Sequence, residues 1–361
     1  VGITSEKESK VDLQLTNFSL EGLGHIGDIY VYDVAISPDG SISKTDNITI
    51  FGEMGAMLGI LPLELTGKLS NGELSATLNI TWEGMDITVN VYPLSTTSVD
   101  LKAMGLSDVA TSISQIKQDL TNPNCIIYTA DGTVATGLEN VVTGTACETL
   151  NLGKDGNISI SNGFNATNVN INRTFASGWH TICVPFETTP EALGAAQAQA
   201  FTEFDGKILT FGKVTAMSAN TPYLVLFENE KALIKLQNIA ISATVPHGNV
   251  TFVGNYEAGK NMEGLYGVAE KAGEQYIMRG GKGSTLGSTG AYFTVSGPEV
   301  NTLRIRLEGT GTGISDVEAG KGGQTFDVYS LNGIKVRNQA TTTDGLPKGI
   351  YLINGKKHIV K

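Results

Sequence analysis

Apolar and polar residues alternate at period two through the first part of the chain. Val11, Leu13 and Leu15 follow the pattern, as do Ile29 with Val31, Val34 with Ile36, and Ile48 with Ile50. Such alternation belongs to strands with one face in a core and the other in water. The breaks between them carry turn chemistry. Pro38-Asp39-Gly40 is one, and Asn71-Gly72 separates Leu65–Leu69 from Leu74–Trp82. Asn-Gly tolerates positive φ at both central turn positions, so this pair of runs predicts a tight hairpin. A further strand is expected from Ile87 to Tyr92. So many consecutive antiparallel strands predict an up-and-down meander that closes on itself, because closure removes exposed edges.

The period then changes. Leu106, Val109, Ile113, Ile116 and Leu120 recur at spacings of three and four, Ser107 can cap the start and Pro123 lies beyond the end. This predicts a helix over 106–120 whose stripe packs on a flanking sheet. From Asn124 to Glu308 strands return, with turns at Asp131-Gly132, Asp155-Gly156, Asn162-Gly163, Asp205-Gly206 and Gly280-Gly281. Within this block only 190–200 reads as helical, with Thr189 as cap and Pro190 at the first position. Turns at such spacing predict a β-sandwich. The tail alternates again from Phe326 to Leu331, with hairpin turns expected at Asn332-Gly333 and Asn354-Gly355. Lys356, Lys357, His358 and Lys361 read as solvated charges on an edge strand.

The expected fold is therefore all-β. It comprises a small antiparallel barrel (1–94), a helical linker (95–123), a β-sandwich (124–310) and a short C-terminal β module (311–361). At 361 residues the chain has room for about two to three cores. Its net charge of −11 repels phosphate backbones and anionic membranes, which argues against nucleic-acid binding. No run approaches the roughly 20 apolar residues of a membrane helix. Residues 1–10 lack the basic-then-apolar pattern of a secretory signal, so any such signal is expected upstream of this numbering.

Candidate chemistry is sparse. Three cysteines allow at most one disulfide; Cys125 and Cys147 either bridge neighbouring strands or remain buried thiols. His25, His180, His247 and His358 each stand alone. The nearest metal half-site or nucleophilic dyad is His180 with Cys183. A regular strand would put Trp179, Thr181 and Cys183 on one face and an exposed His180 on the other, so that pair cannot converge. No zinc, EF-hand or nucleophile-elbow motif occurs. Gly280-Gly-Lys-Gly-Ser-Thr285 looks like part of a phosphate loop, but it lacks the leading glycine and the βαβ setting, and a hairpin tip explains it better. Glu228 and Glu230 share a strand face beside a turn; paired carboxylates could serve glycoside hydrolysis, which makes a hydrolase a distant third reading, but these two are most simply solvated. Trp179 reads as sandwich core, and Trp82 either lines or plugs the barrel. No catalytic residue, metal or cofactor is expected, and the chain reads as non-catalytic.

Three resemblances add to this. The motifs Asn17-Phe18, Gly24-x-Ile26-Gly27-Asp28-Ile29 and Pro38-Asp39-Gly40 resemble the calycin-like domain of Bacteroidetes lipoproteins over about residues 8–93. That implies a lipocalin-like barrel with an apolar small molecule or lipid as ligand. Phe18, Ile29, Val31, Ile36, Leu63, Leu65, Leu78, Ile80 and Trp82 are its candidate lining, against the alternative that they fill the barrel. Arg173-Thr-Phe, Gly178–Phe186, Ala219–Tyr223 and Phe252–Tyr256 resemble a β module of Bacteroidales surface proteins. The final segment, Phe326–Arg337 with Leu346–Lys361, is similar to type IX secretion sorting domains. Together they imply a secreted or outer-surface protein. The rival function is an adhesion or interaction scaffold, with another surface protein or a glycan as partner.

Overall fold

The computed structural model describes residues 2–7, 9–20, 24–102, 109–130, 137–245, 251–271, 274–295, 300–307, 326–330, 335–340, 346–353 and 356–360. Among them are 28 strands and three short helices, an all-β chain.

Seven strands form the first sheet in sequence order: β1 (Gly2–Lys7), β2 (Lys10–Leu20), β3 (Gly24–Ile36), β4 (Ser41–Phe51), β5 (Ile60–Ser70), β6 (Glu73–Trp82) and β7 (Met85–Val91). Every neighbour pair is antiparallel, so the meander is as expected. Its closure is not. Among the described residues β1 and β7 are the two ends of the ladder, and the sheet is an open half-barrel. It still covers its inner face by curling, helped by bulges that interrupt the β2–β3 register. Leu74, Ala76, Leu78 and Ile80 of β6 point inward, alternating with outward residues as period two requires.

Asn71 and Gly72 both have positive φ (52° and 80°), the conformation expected of that hairpin. Glu83-Gly84 forms a similar turn (50° and 79°), which its glutamate hid from sequence reasoning. An unexpected helix, α1 (Glu53–Leu58), sits between β4 and β5 and packs on β3 and β4. Gly52 and Gly59, both at positive φ, bracket it; six residues were too few for a helical period to stand out. Gly27 is required where β3 meets this corner, since a Cβ there would lie 2.1 Å from the Phe51 carbonyl oxygen.

The second sheet has the order β17-β12-β11-β10-β9-β8. These are β8 (Ser98–Asp100), β9 (Ile126–Thr129), β10 (Val141–Thr143), β11 (Ala146–Gly153), β12 (Phe164–Asn172) and β17 (Ile234–Ile241). The pairs β8–β9, β9–β10 and β11–β12 are parallel, a feature that turn spacing did not reveal. The interdomain stretch therefore donates a strand, β8, to this sheet. The described part of the expected helix is α2 (Val109–Asp119), while Leu106 and Ser107 fall outside the described residues. Its Ile113, with Ile116 and Leu120, packs against Val99, Ile127 and Val141 on one face of the second sheet.

The third sheet runs β13-β16-β14-β15-β24-β21-β20-β23-β18. Its strands are β13 (Gly178–Ile182), β14 (Gln197–Phe204), β15 (Ile208–Val214), β16 (Tyr223–Phe227), β18 (Phe252–Asn255), β20 (Tyr266–Lys271), β21 (Glu274–Arg279), β23 (Gly290–Phe293) and β24 (Thr302–Leu307). The short β19 (Lys260–Asn261) and β22 (Thr285–Leu286) pair beside it. Both faces of the sheet contribute to a core, while the β20–β21 hairpin is largely exposed or half-buried. Ile182, Val225 and Phe227 share a core with Leu150, Val169 and Ile171 of the second sheet. On the other side Trp179, Phe211, Leu224, Phe252 and Phe293 form a second core, with Phe252 and Phe293 stacked at 4.4 Å.

The helix expected over 190–200 ends far sooner. Helix α3 spans Pro190–Leu193, capped by the Thr189 hydroxyl accepting from the Ala192 amide and stopped by Gly194 at φ 74°. Ala198 and Ala200 are instead strand residues between β15 and β16, so ladder pairing and core burial override alanine's helix propensity. A four-stranded C-terminal sheet, β26-β25-β27-β28, combines β25 (Phe326–Ser330), β26 (Lys335–Ala340), β27 (Gly349–Ile353) and β28 (Lys356–Val360) around Val328, Leu346, Tyr351 and Ile353. Asn332-Gly333, Asn354-Gly355, Asp131-Gly132 and Lys361 lie outside the described residues. Lys356, Lys357 and His358 are on β28, an edge of that sheet.

Candidate functional site

The nine candidate lining residues come together. Ile29, Val31, Leu63, Leu65, Leu78 and Ile80 are buried in one cluster, and Phe18, Ile36 and Trp82 pack against it half-buried. Register explains the convergence. Leu63 faces Ile80 and Leu65 faces Leu78 across β5–β6, while Leu15 faces Ile29 across β2–β3 and Ile29 faces Ile50 across β3–β4. The centre is closed by its own side chains, with Ile29, Leu63 and Leu78 at 0% exposure.

The two ends of the half-barrel differ. At one, Glu73 accepts hydrogen bonds from the Ser95 amide (3.2 Å) and the Ser95 hydroxyl, fixing the sheet to the chain leading into β8. At the other end lie α1, the start of β5 and the Glu83-Gly84 turn. This end is apolar and uncovered: Met54 and Met57 of α1 and Met85 are exposed there, Met57 at 79%, while Phe51 and Ile60 (74%), next to inward Ile50 and Leu61, add exposed apolar surface on the outer face. Tyr30 packs edge-on to Phe51 with ring centroids 5.3 Å apart and stacks with Tyr32 at 6.1 Å. Half-buried Phe18 and Trp82 lie at this same end, since Phe18 pairs with Gly27 and Trp82 with Met85. Sequence reasoning missed Met54 and Met57; the signal available was the pair of glycines, Gly52 and Gly59, flanking a hexapeptide with two methionines.

The other candidates separate. Cys125 and Cys147 are free buried thiols in different clusters, Cys125 under α2 and Cys147 in the core shared with the third sheet. Burial pushes both thiols up to about 11. Cys183 lies just past β13 with its Sγ 3.7 Å from the Tyr256 hydroxyl. His180 is half-buried rather than exposed. It packs edge-on to Phe175 at 5.5 Å and its Nε2 is 2.9 Å from the Ala176 carbonyl, so His180 and Cys183 take different partners. Burial, reinforced by the nearby Arg173 charge, lowers the His180 pKa. Glu228 and Glu230 are exposed, and Trp179 is 1% exposed in the outer core of the third sheet. Gly280–Thr285 forms the turn joining β21 to β22. No helix among the described residues is long and apolar enough to cross a membrane.

A buried apolar cluster under a curled antiparallel meander is what a small β-barrel domain of one sheet presents. Consistent with it, residues 1–92 match the family model of the calycin-like β-barrel domain. Comparison with curated proteins and with solved structures gives no match.

Proposed function

We propose that residues 1–92 bind a small apolar molecule or the acyl chain of a lipid at the α1 end of the half-barrel. The observation that carries this is the juxtaposition there of half-buried Phe18 and Trp82 with exposed Met54 and Met57 of α1 and with Met85, which pairs with Trp82. An uncovered apolar rim of this kind marks an interaction site. With Leu63 and Leu78 fully covered, the ligand sits at this end and not in the centre. Flexible methionines suit a surface that adapts to different apolar shapes.

The rest of the chain serves as a non-catalytic scaffold on this reading. The tail's likeness to secretion sorting domains, and the likeness of the 173–256 region to surface-protein modules, support a secreted or outer-surface protein of Bacteroidetes type. Titration of a fluorescent fatty-acid analogue tests the binding role. Saturable binding is expected, weakened about 5- to 30-fold by Trp82→Ala if the indole contributes about 1–2 kcal/mol of apolar contact. No saturable binding across several apolar ligands would instead favour an adhesion scaffold.

A further inference from the structure

A second site is built into the third sheet, far in sequence from the half-barrel. Arg173, directly after β12, donates from Nη1 to the carbonyls of Thr181 (3.0 Å) and Thr289 (3.2 Å). Its guanidinium also lies 4.5 Å over the Phe175 ring. These contacts fix the group and occupy Nη1. Nε and Nη2, which present two parallel N–H donors, have no protein partner among the described residues, and neither is sealed from solvent. Arg173 has no ion pair either; the pairs among the described residues are Lys10–Asp33, Lys44–Asp46, Lys154–Asp155 and Lys260–Glu257. A cation removed from water is normally paired. Burial draws this one's pKa down to about 10, and no neighbouring carboxylate opposes the shift.

Arg173 borders a cavity of about 360 Å³, within the range of small-molecule sites. His180 stands beside it, and Arg279 and the Gly280-Gly281 turn form another part of the wall. Glu270 is the one acidic residue among the lining residues, beside the guanidinium groups of Arg173 and Arg279. The turn comes in at backbone distance: a Cβ on Gly280 would lie 2.2 Å from the Met262 carbonyl oxygen. The glycine-rich stretch that looked like a phosphate-loop fragment is thus part of the wall of a cavity that pairs an apolar lining (Met262, Val268, Met278, Leu286) with Arg173 and Arg279, although no helix succeeds it.

We propose that this cavity binds the anionic group of a sugar-sized organic ligand, a carboxylate or a phosphate ester. The Nε–Nη2 edge of Arg173 would take two of its oxygens and Arg279 would supply the second positive charge. A guanidinium edge matches two oxygens of one anionic group in a way a lysine cannot. The size of the cavity leaves room for about one sugar ring around that group.

Calorimetry on the full chain, in low-salt buffer free of phosphate, tests this with glucuronate, glucose 6-phosphate and neutral glucose. Saturable binding of at least one anionic sugar and none of glucose is expected, weakening as salt is added. Arg173→Lys and Arg279→Gln should each weaken it at least tenfold, and Trp82→Ala should leave it unchanged. A melting curve on each variant checks folding, and Arg279→Gln carries the test if Arg173→Lys is destabilised. Absence of binding by both anions into the millimolar range, equal binding of glucose, or unchanged affinity in Arg279→Gln would overturn the proposal.

Discussion

Replacing Cys183 by serine tests how the two cores of the C-terminal region are tied together. Cys183 is 1% exposed and its amide donates to the Thr289 carbonyl at 2.9 Å. Its thiol begins a relay: Tyr256 donates to Asn220 Oδ1 at 2.8 Å, and Asn220 Nδ2 donates to the Ala243 carbonyl at 2.9 Å. Since the single Tyr256 proton is committed to Asn220, the Cys183 thiol must be the donor at its 3.7 Å contact. Burial pushes the thiol up to about 12, so it stays protonated and available as that donor.

Serine keeps a donor, but the shorter C–O bond sets its oxygen back from Tyr256, beyond the roughly 3.0 Å that an O–H···O bond spans. A buried hydroxyl left without a partner costs about 1–3 kcal/mol. Cys183→Ala loses only a weak S–H contact and introduces no polar group, so serine should be at least as destabilising as alanine. The chain's two tryptophans lie in different regions, Trp82 in the half-barrel and Trp179 in the third sheet. Urea unfolding followed by Trp179 fluorescence in a Trp82→Phe background therefore reports this region alone. A serine variant within about 0.5 kcal/mol of the parent, or clearly more stable than the alanine variant, would refute the reasoning.

Two further outcomes are expected. The fragment 1–94 should unfold cooperatively by itself, because its core residues all come from β2 to β7, and Leu63→Ala should lower its stability by about 2–5 kcal/mol; a fragment without a cooperative transition would show that it needs the contact with Ser95 and the second sheet. His180, whose pKa is lowered in the folded chain, takes up a proton more readily when unfolded, so its contribution is intact above the unfolded pKa of about 6.5 and is lost as pH falls below it. Urea midpoints of His180→Gln should accordingly depend less on pH than the parent's below about 6.5, and an unchanged slope would count against the assigned burial.

Period-two alternation with the Pro38-Asp39-Gly40 and Asn71-Gly72 turns was enough to anticipate most strands of the first sheet, though not β1, and the nine residues chosen as lining of the resembled barrel meet in one cluster. Local pattern determines which face of a strand is apolar, and a meander with short turns leaves little choice of neighbour. Whether the sheet closes was decided by its curvature and by the far-apart edges β1 and β7, which no local signal relates. The helical stripe of α2 was legible for the same reason, whereas α1 was too short to show a period and α3 was cut back because Ala198 and Ala200 were claimed by the ladder between β15 and β16. The parallel pairs of the second sheet depend on crossovers, which turn residues do not encode. Arg173 stands in the Arg173-Thr-Phe motif of a resembled β module, but that motif names no ligand for it. Its unpaired edge exists only because residues 116 positions apart, Arg173 and Thr289, are brought within hydrogen-bond distance, and the Gly280-Gly281 turn is folded onto the same cavity. Charge and glycine content were in the sequence, but the concentration of cationic groups around one space is a product of long-range packing.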